Sequence, residues 1–365
     1  MPSDARHPVK ITLDQLRSVW ARELQAAPSV PKFLEEGAQW TLATAASTLP
    51  FQWARHLAAE TSNKLFAYSE FQRFRRESFK PNAAVGPLSP DPYTSIWRAE
   101  GLGARIADTQ SSTPASLANC CASSNLSPSY QIPIHTGGGL SLAEAVLKEH
   151  LRPGKELAIG KMLSELYASI EQKAEPGLQN PVFEALGLIL QTMHPELLNP
   201  VADYIKTHDL TCFQLLWHGA GRGYYFDPLQ VVLPSSIRIR TYLSDTDDAG
   251  LNRLSGYAWA ITLVNMRSPK AAAAIIADLP LGHKRSLAAA ADGVSAAALL
   301  WLAMTNDNES LANFKQALTN NKLFTSPSLP AVFADAIAKR TAIHPTSAEE
   351  LGALFAYDPD ALPSE

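Results

Sequence analysis

Apolar residues recur at helical spacing along most of the chain, and this periodicity constrains the fold more than any other feature. In TLDQLRSVWAREL the three leucines and the tryptophan fall on one helix face, and SLAEAVLKEHL, KMLSELYASI and FEALGLILQTM repeat the pattern. Strand-like alternation is confined to LQVVLPSSIRIRTYL, residues 229–243, where a small β-hairpin is predicted. The predicted fold class is therefore mainly α, either HEAT-like helix pairs or a helical bundle, with at most that hairpin.

A segment rich in Ser, Thr, Pro and Gly, residues 109–140, divides the predicted helices into two groups. Because loops of this length are uncommon inside compact domains, we predict a linker between an N-terminal helical region, 1–108, and a C-terminal one, 141–365. One continuous domain is the alternative. Two related stretches, WRAEGLGARIAD and WHGAGRGYYFDP, share a Trp, a Gly-x-Gly pair, an Arg and an Asp, which raises the alternative of duplicated halves.

The linker ends in IPIHTGGGLSLAE, which places His135 before three glycines. Such a run resembles an anion-binding nest or an esterase oxyanion loop, but the chain has no G-x-S-x-G nucleophile. We therefore expect a flexible linker that leads into a helix capped by Ser141, with Glu144 completing a capping box.

Charge and cysteine content narrow the cellular setting. The net charge is −4, and charged residues make up 18 %, so no basic stripe for nucleic acid is expected. Three cysteines are too few for a disulfide framework and favour a reducing compartment. The alanine-rich run 287–304 contains Asp292 and is predicted to be a buried helix. We expect a soluble, cytoplasmic protein without a transmembrane segment.

The stretch LLWHGAGRGYYFDP is the leading candidate for a ligand site. Its glycines would let another backbone approach closely, and Arg222 could orient a carboxylate or phosphate. The alternative is a tight helix crossing, with Arg222 paired to a neighbouring side chain and the aromatic residues in the core. The ligand-binding candidates are Trp217, Gly219, Gly221, Arg222, Tyr224 and Tyr225.

The stretch SDTDDAG is the leading candidate for catalysis. Neighbouring carboxylates raise one another's pKa, so a D-x-D-D cluster can hold a proton for an alkene, as in class II terpene cyclases. The catalytic candidates are Asp245, Asp247, Asp248 and His218. The alternative is ordinary capping of the helix that begins at residue 249 or 250. No histidine spacing indicates a metal site, and no motif points to a particular cofactor.

The segment GAGRGYYF, together with Glu100-Gly101, RLSGYAWAITL and LAAAADGVSAAALL, resembles a protein family encoded in enediyne and other polyketide biosynthetic gene clusters. The resemblance implies a setting in specialised metabolism and no defined reaction.

Our leading hypothesis from the sequence is an accessory or tailoring protein that binds a lipophilic polyketide- or isoprenoid-like intermediate. The alternatives are a non-catalytic helical module that binds a partner protein, terpene-cyclase-like acid catalysis through the aspartates, and a secreted bacterial effector.

Overall fold

The computed structural model describes residues 51–76, 88–109, 117, 130–152, 157–226, 242–343, 345 and 347–359. These residues form thirteen α-helices and one short 3-10 helix, with no strand among them, which confirms the mainly α prediction. The helix predicted at the N-terminus lies outside the described residues. So does the hairpin predicted for 229–243, apart from its last two residues.

The helices in chain order are α1 (Phe51–Arg76), α2 (Pro92–Thr109), α3 (Gln131–His150), α4 (Ile159–Lys173), α5 (Gln179–Met193), α6 (Pro195–Lys206), α7 (Leu210–Phe226), α8 (Asp248–Val264), α9 (Pro269–Ala277), α10 (Lys284–Thr305), α11 (Asn308–Thr319), α12 (Leu329–Thr341) and α13 (Ala348–Gly352). The 3-10 helix, Ala353–Phe355, follows α13 directly.

The long helices pack side by side in a closed ring. Each of α1, α2, α3, α5, α7, α8 and α10 packs on the next, and α10 and α8 return to touch α2 and α1. Tyr93 of α2 closes the ring, since its hydroxyl donates to the carbonyl oxygen of Val264 at 2.7 Å and its ring centroid lies 6.1 Å from that of Trp301 in α10. This closed packing favours the bundle alternative over an open row of HEAT-like pairs.

The Gly-x-Gly pair of α7 explains how the helices come so close. Residues two apart on a helix are separated by about 200°, so the two glycines face opposite neighbours. A Cβ on Gly219 would lie 2.0 Å from the carbonyl oxygen of Glu184 in α5, and one on Gly221 would lie 2.0 Å from that of Arg253 in α8. The pair therefore lets α7 pack tightly against two helices at once. This is the tight helix crossing that was the alternative to a ligand site at these glycines.

The earlier Gly-x-Gly pair, in α2, has the same geometry. A Cβ on Gly101 would meet an α1 carbonyl oxygen at 2.3 Å, and one on Gly103 would meet an α3 carbonyl oxygen at 1.9 Å. The two related stretches thus share a packing role, each on a helix held between two others.

The sequence predicts a linker over 109–140, but residues 131–140 form the first half of α3. His135 and the three glycines lie inside that helix, and Ser141 is buried in its middle, so the predicted cap at Ser141 is wrong. Glycine is a poor helix former, but here close packing compensates for it. A Cβ on Gly137 would lie 1.7 Å from the carbonyl oxygen of Glu100.

Helix α10 contains the alanine-rich run. It is the one helix of the described part that is long and apolar enough to cross a membrane, and 78 % of its most apolar window is buried inside the fold. It packs against α8 and α12, in the position of the core helix that the sequence predicts. The cytoplasmic location stays a prediction.

Candidate functional site

Charged side chains meet inside the ring of helices, away from solvent. Arg222 donates from Nη1 to Glu184 Oε2 at 2.6 Å, and Nδ1 of His218 lies 2.9 Å from Glu184 Oε1. His218 and Arg222 are four residues apart on α7, so both reach the same partner on α5. All three side chains are at most 3 % exposed. The carboxylate of Glu184 therefore organises both α7 side chains.

A second carboxyl group, that of Glu100 in α2, lies on the other side of Arg222, with Oε1 4.0 Å from Nη2. Burial raises the pKa of Glu100 from its ordinary 4.5 to about 7, an effect that Arg222 opposes and Glu184 reinforces. Glu100 can therefore hold or release a proton near neutral pH. The motifs singled out above mark this residue only through the family resemblance.

A small cavity adjoins Glu100 and Arg222. The space open to the centre of a water molecule is about 20 Å³, enough for one water-sized group. Apart from these two residues its walls are mainly apolar side chains of α2, α3, α8, α10 and the 3-10 helix. Trp259 forms part of the wall, and the guanidinium carbon of Arg222 stands 4.4 Å from its ring centroid.

Three hydrogen-bond donors on the residues that line this cavity have no partner. They are Nε of Arg222 and Nε1 of both Trp97 and Trp259, all of them fully buried atoms. Most buried donors in folded proteins are paired, so three unpaired donors around one cavity indicate a place for an acceptor atom.

A much larger groove, which Glu100 also lines, lies between α1, α2, α3, α5 and the end of α7. Its volume is about 600 Å³. Its lining includes the apolar side chains Leu65, Ala67, Phe71, Leu140, Leu188, Ile189 and Phe226. Trp97 and Glu100 line both the groove and the small cavity, so these two side chains form the wall between them.

The groove also contains charged side chains, but its most buried arginine is neutralised. Arg75 donates to Asp108 at 2.8 Å and to Glu144 at 2.7 Å. This arginine therefore offers little to a free anion.

Among the predicted ligand-binding residues, only Arg222 belongs to the described lining of either space. Trp217 packs on Arg253, whose guanidinium carbon lies 5.3 Å from its ring centroid. Tyr224 stacks on Tyr242 with centroids 3.9 Å apart, and Tyr225 accepts a hydrogen bond from Asn265 at 2.7 Å. These aromatic residues are core residues, as the helix-crossing alternative predicts.

The predicted acidic cluster lies at the exposed start of α8, whereas His218 is fully buried. Asp247 caps α8 by accepting a hydrogen bond from the Gly250 backbone N–H at 2.8 Å. Asp245 binds Arg253 at 2.8 Å, and Asp248 lies 3.4 Å from Arg285. The fold thus gives Asp247 the capping role and does not bring the aspartates to the buried histidine.

His135 is held in one neutral form. Its Nδ1–H donates to the carbonyl oxygen of Gln131 at 2.7 Å, and its Nε2 accepts from the backbone N–H of Glu175 at 3.0 Å. Burial lowers the pKa of His135 to about 4, despite the opposing hydrogen bond to Gln131. Both ring nitrogens are occupied, so this histidine fixes α3 and is not part of an oxyanion loop.

A separate buried ion pair joins α10 and α12. Asp292 accepts hydrogen bonds from Arg340 and, at 2.9 Å, from the hydroxyl of Ser255. Burial raises the pKa of Asp292, and Arg340 acts against that rise. Among the described residues no three His, Cys, Asp or Glu side chains are grouped as metal ligands would be.

Comparison with protein-family models, with curated protein sequences and with solved structures finds no match to this chain. Its described part is therefore characterised by its own geometry: a ring of helices with a buried Glu100–Arg222–Glu184–His218 cluster, of which Glu100 also lines an apolar groove.

Proposed function

We propose that this protein binds a neutral, lipophilic small molecule in the groove and acts on it as an accessory or tailoring protein of specialised metabolism. The observation that carries the proposal is that an ionisable carboxyl group, that of Glu100, lines a mainly apolar groove. The choice of a polyketide- or isoprenoid-like molecule comes from the family resemblance of GAGRGYYF and its companion segments.

The size and chemistry of the groove support this choice. A volume of about 600 Å³ falls within the range of small-molecule sites, which are mostly apolar with a few placed polar groups. Its apolar lining stabilises a hydrocarbon skeleton by removing it from water. The pairing of Arg75 with two carboxylates favours a neutral ligand over an anionic one.

The placement of Arg222 favours this hypothesis over a protein-interaction module. Such a module needs no internal cavity, whereas Arg222 forms part of a cavity wall and is bound to two buried carboxyl groups. The exposed position of Asp247 and its capping hydrogen bond weigh against terpene-cyclase-like chemistry there. No described feature favours the effector alternative.

The test is the binding of Nile red, a neutral lipophilic dye, to the full chain and to a variant with a blocked groove. Thr192 lines the groove near the end of α5, so Thr192→Trp fills part of it. Thr341→Trp is the matched control, because Thr341 also ends a helix and also donates to the carbonyl oxygen four residues earlier.

We expect saturable Nile red binding to the wild type and to Thr341→Trp, and at least a tenfold weaker affinity for Thr192→Trp. Binding that is equal in the two tryptophan variants, or that never saturates, would overturn the proposed function. Circular dichroism of each variant establishes that the helices are retained.

A further inference from the structure

We propose that the small cavity behind Glu100 receives a carbonyl oxygen of the bound molecule, and that Glu100 removes and returns a proton on the adjacent carbon. This inference rests on the proposed function, because the rest of that molecule occupies the groove. The substrate class is a lipophilic ketone, aldehyde or thioester, and the activity is enolisation.

The cavity has the donors that a carbonyl oxygen needs. A carbonyl oxygen has two lone pairs and can accept two hydrogen bonds. Arg222 Nε–H and Trp259 Nε1–H are both buried, both unpaired and both on residues that line the cavity alone, whereas the third unpaired donor, Trp97 Nε1–H, belongs to a residue that also lines the groove. With room for one water-sized group, the cavity fits an oxygen atom and excludes a bulky substituent.

The neighbouring side chains hold these donors in place. Arg222 is fixed through Nη1 by Glu184, which leaves Nε for another partner. Its guanidinium carbon also lies 4.4 Å from the ring centroid of Trp259 and 5.8 Å from that of Phe355, and these two rings contact each other. Donors that are fixed before the reaction stabilise a developing oxyanion without having to reorganise, which makes such a site effective.

Glu100 has the position of the base. Its side chain stands between the groove and the cavity. When a molecule in the groove places its carbonyl oxygen in the cavity, the carbon beside the carbonyl group therefore lies next to the Glu100 carboxylate. The charged groups that face Glu100 are Arg222 of α7 and Glu184 of α5. Its pKa of about 7 suits a general base that works at neutral pH.

The reaction step balances without an oxidant or reductant. The C–H bond beside the carbonyl group breaks, its proton moves to the Glu100 carboxylate, and the electron pair forms an enolate. The enolate oxygen accepts hydrogen bonds from Arg222 and Trp259. Return of the proton to the same carbon regenerates the substrate, and return to the γ-carbon of an unsaturated substrate moves its double bond.

The test uses 2-undecanone, a lipophilic methyl ketone, in D₂O with the full chain. Deuterium uptake beside the carbonyl group is followed by mass spectrometry, and displacement of Nile red is measured in the same samples. The variants are Glu100→Gln, Trp259→Phe and Trp217→Phe. The last is the matched control, because Trp217 is also buried with an unpaired Nε1 but lies outside the described lining of both spaces.

We expect the wild type to accelerate exchange and Glu100→Gln to return it to the rate in buffer. Trp259→Phe keeps a ring but loses the donor, and should slow exchange by about a hundredfold, the usual effect of removing one oxyanion donor. Trp217→Phe should exchange at the wild-type rate.

Three results would overturn the inference. The ketone could fail to displace Nile red, it could displace the dye while wild-type exchange is no faster than in Glu100→Gln, or the two tryptophan variants could exchange equally. In each case Nile red binding by the wild type would leave the proposed function standing. Absence of Nile red binding itself would refute both. The comparison of the tryptophan variants keeps the test decisive even if Glu100→Gln fails to fold.

Discussion

Glu100→Gln should stabilise the protein at neutral pH and leave its stability nearly unchanged in acid. The folded-state pKa of Glu100 is about 7, above the ordinary value of 4.5 that applies to the unfolded chain. Between these two values the folded protein holds a proton that the unfolded chain has released, so stability falls as the pH rises through this window. Glutamine has nearly the same shape and no charge to bury, so the stability of the variant does not fall in this way as the pH rises.

The size of the effect follows from the same pKa difference. Each pKa unit is worth about 1.4 kcal/mol, so the change from 4.5 to about 7 corresponds to about 3 kcal/mol in the free energy of unfolding. Burial is the main cause, since the residue is 8 % exposed, and the favourable interaction with Arg222 offsets part of it. The wild type should begin to lose this stability near pH 4.5, and the loss should be complete by about pH 8.

The assay is urea unfolding, followed by circular dichroism, of wild type and Glu100→Gln at intervals from about pH 4 to about pH 8. The free-energy difference between the two proteins is plotted against pH, which removes the contributions of all other groups. Glu171→Gln, at an exposed position on α4, controls for the removal of one carboxyl group from the chain. A wild-type–variant difference that stays constant with pH, or that favours wild type as the pH rises, would refute the reasoning.

Two further predictions concern the packing of α8 and its first residues. Gly256→Ala would place a Cβ 2.0 Å from the carbonyl oxygen of His218 and should cost about 3 kcal/mol, whereas Gly282→Ala, with nothing within 4 Å, should change thermal stability little. Equal melting temperatures would contradict the close crossing of α7 and α8. Asp247→Ala should cost about 1 kcal/mol through the lost cap and leave deuterium exchange of 2-undecanone unchanged. If Asp247→Ala lost deuterium exchange while its stability stayed normal, Asp247 would have to act in the active site.

The sequence was sufficient for the fold class because helical periodicity is a local property. It failed at α3, where a run of glycines suggested a linker, because the compensation for glycine comes from α2 and α5 and not from neighbouring residues. The partners of Arg222 were also beyond local reasoning. Arg222 binds Glu184, 38 positions away, and that contact exists only because α5 and α7 pack side by side.

A usable signal for the site was nevertheless present in the sequence. Glu100, Glu184 and Asp292 are each a lone acid within a short apolar, small-residue stretch, WRAEGLGA, FEALGLIL and AAAADGVS. A charge is rarely buried without a partner, so such an acid predicts an arginine or lysine nearby in the fold. All three are buried, and each faces an arginine.

The glycines and the buried polar residues form one arrangement. Three of the close backbone approaches occur at residues of the cluster: a Cβ on Gly137 would meet the carbonyl oxygen of Glu100, one on Gly219 that of Glu184, and one on Gly256 that of His218. Each glycine thus fixes the backbone from which a side chain of the cluster projects. Contacts between backbones leave less freedom than contacts between flexible side chains, so the donor and acceptor positions are set before any ligand enters. A methyl group at one of these crossings should therefore displace the cluster as well as destabilise the fold.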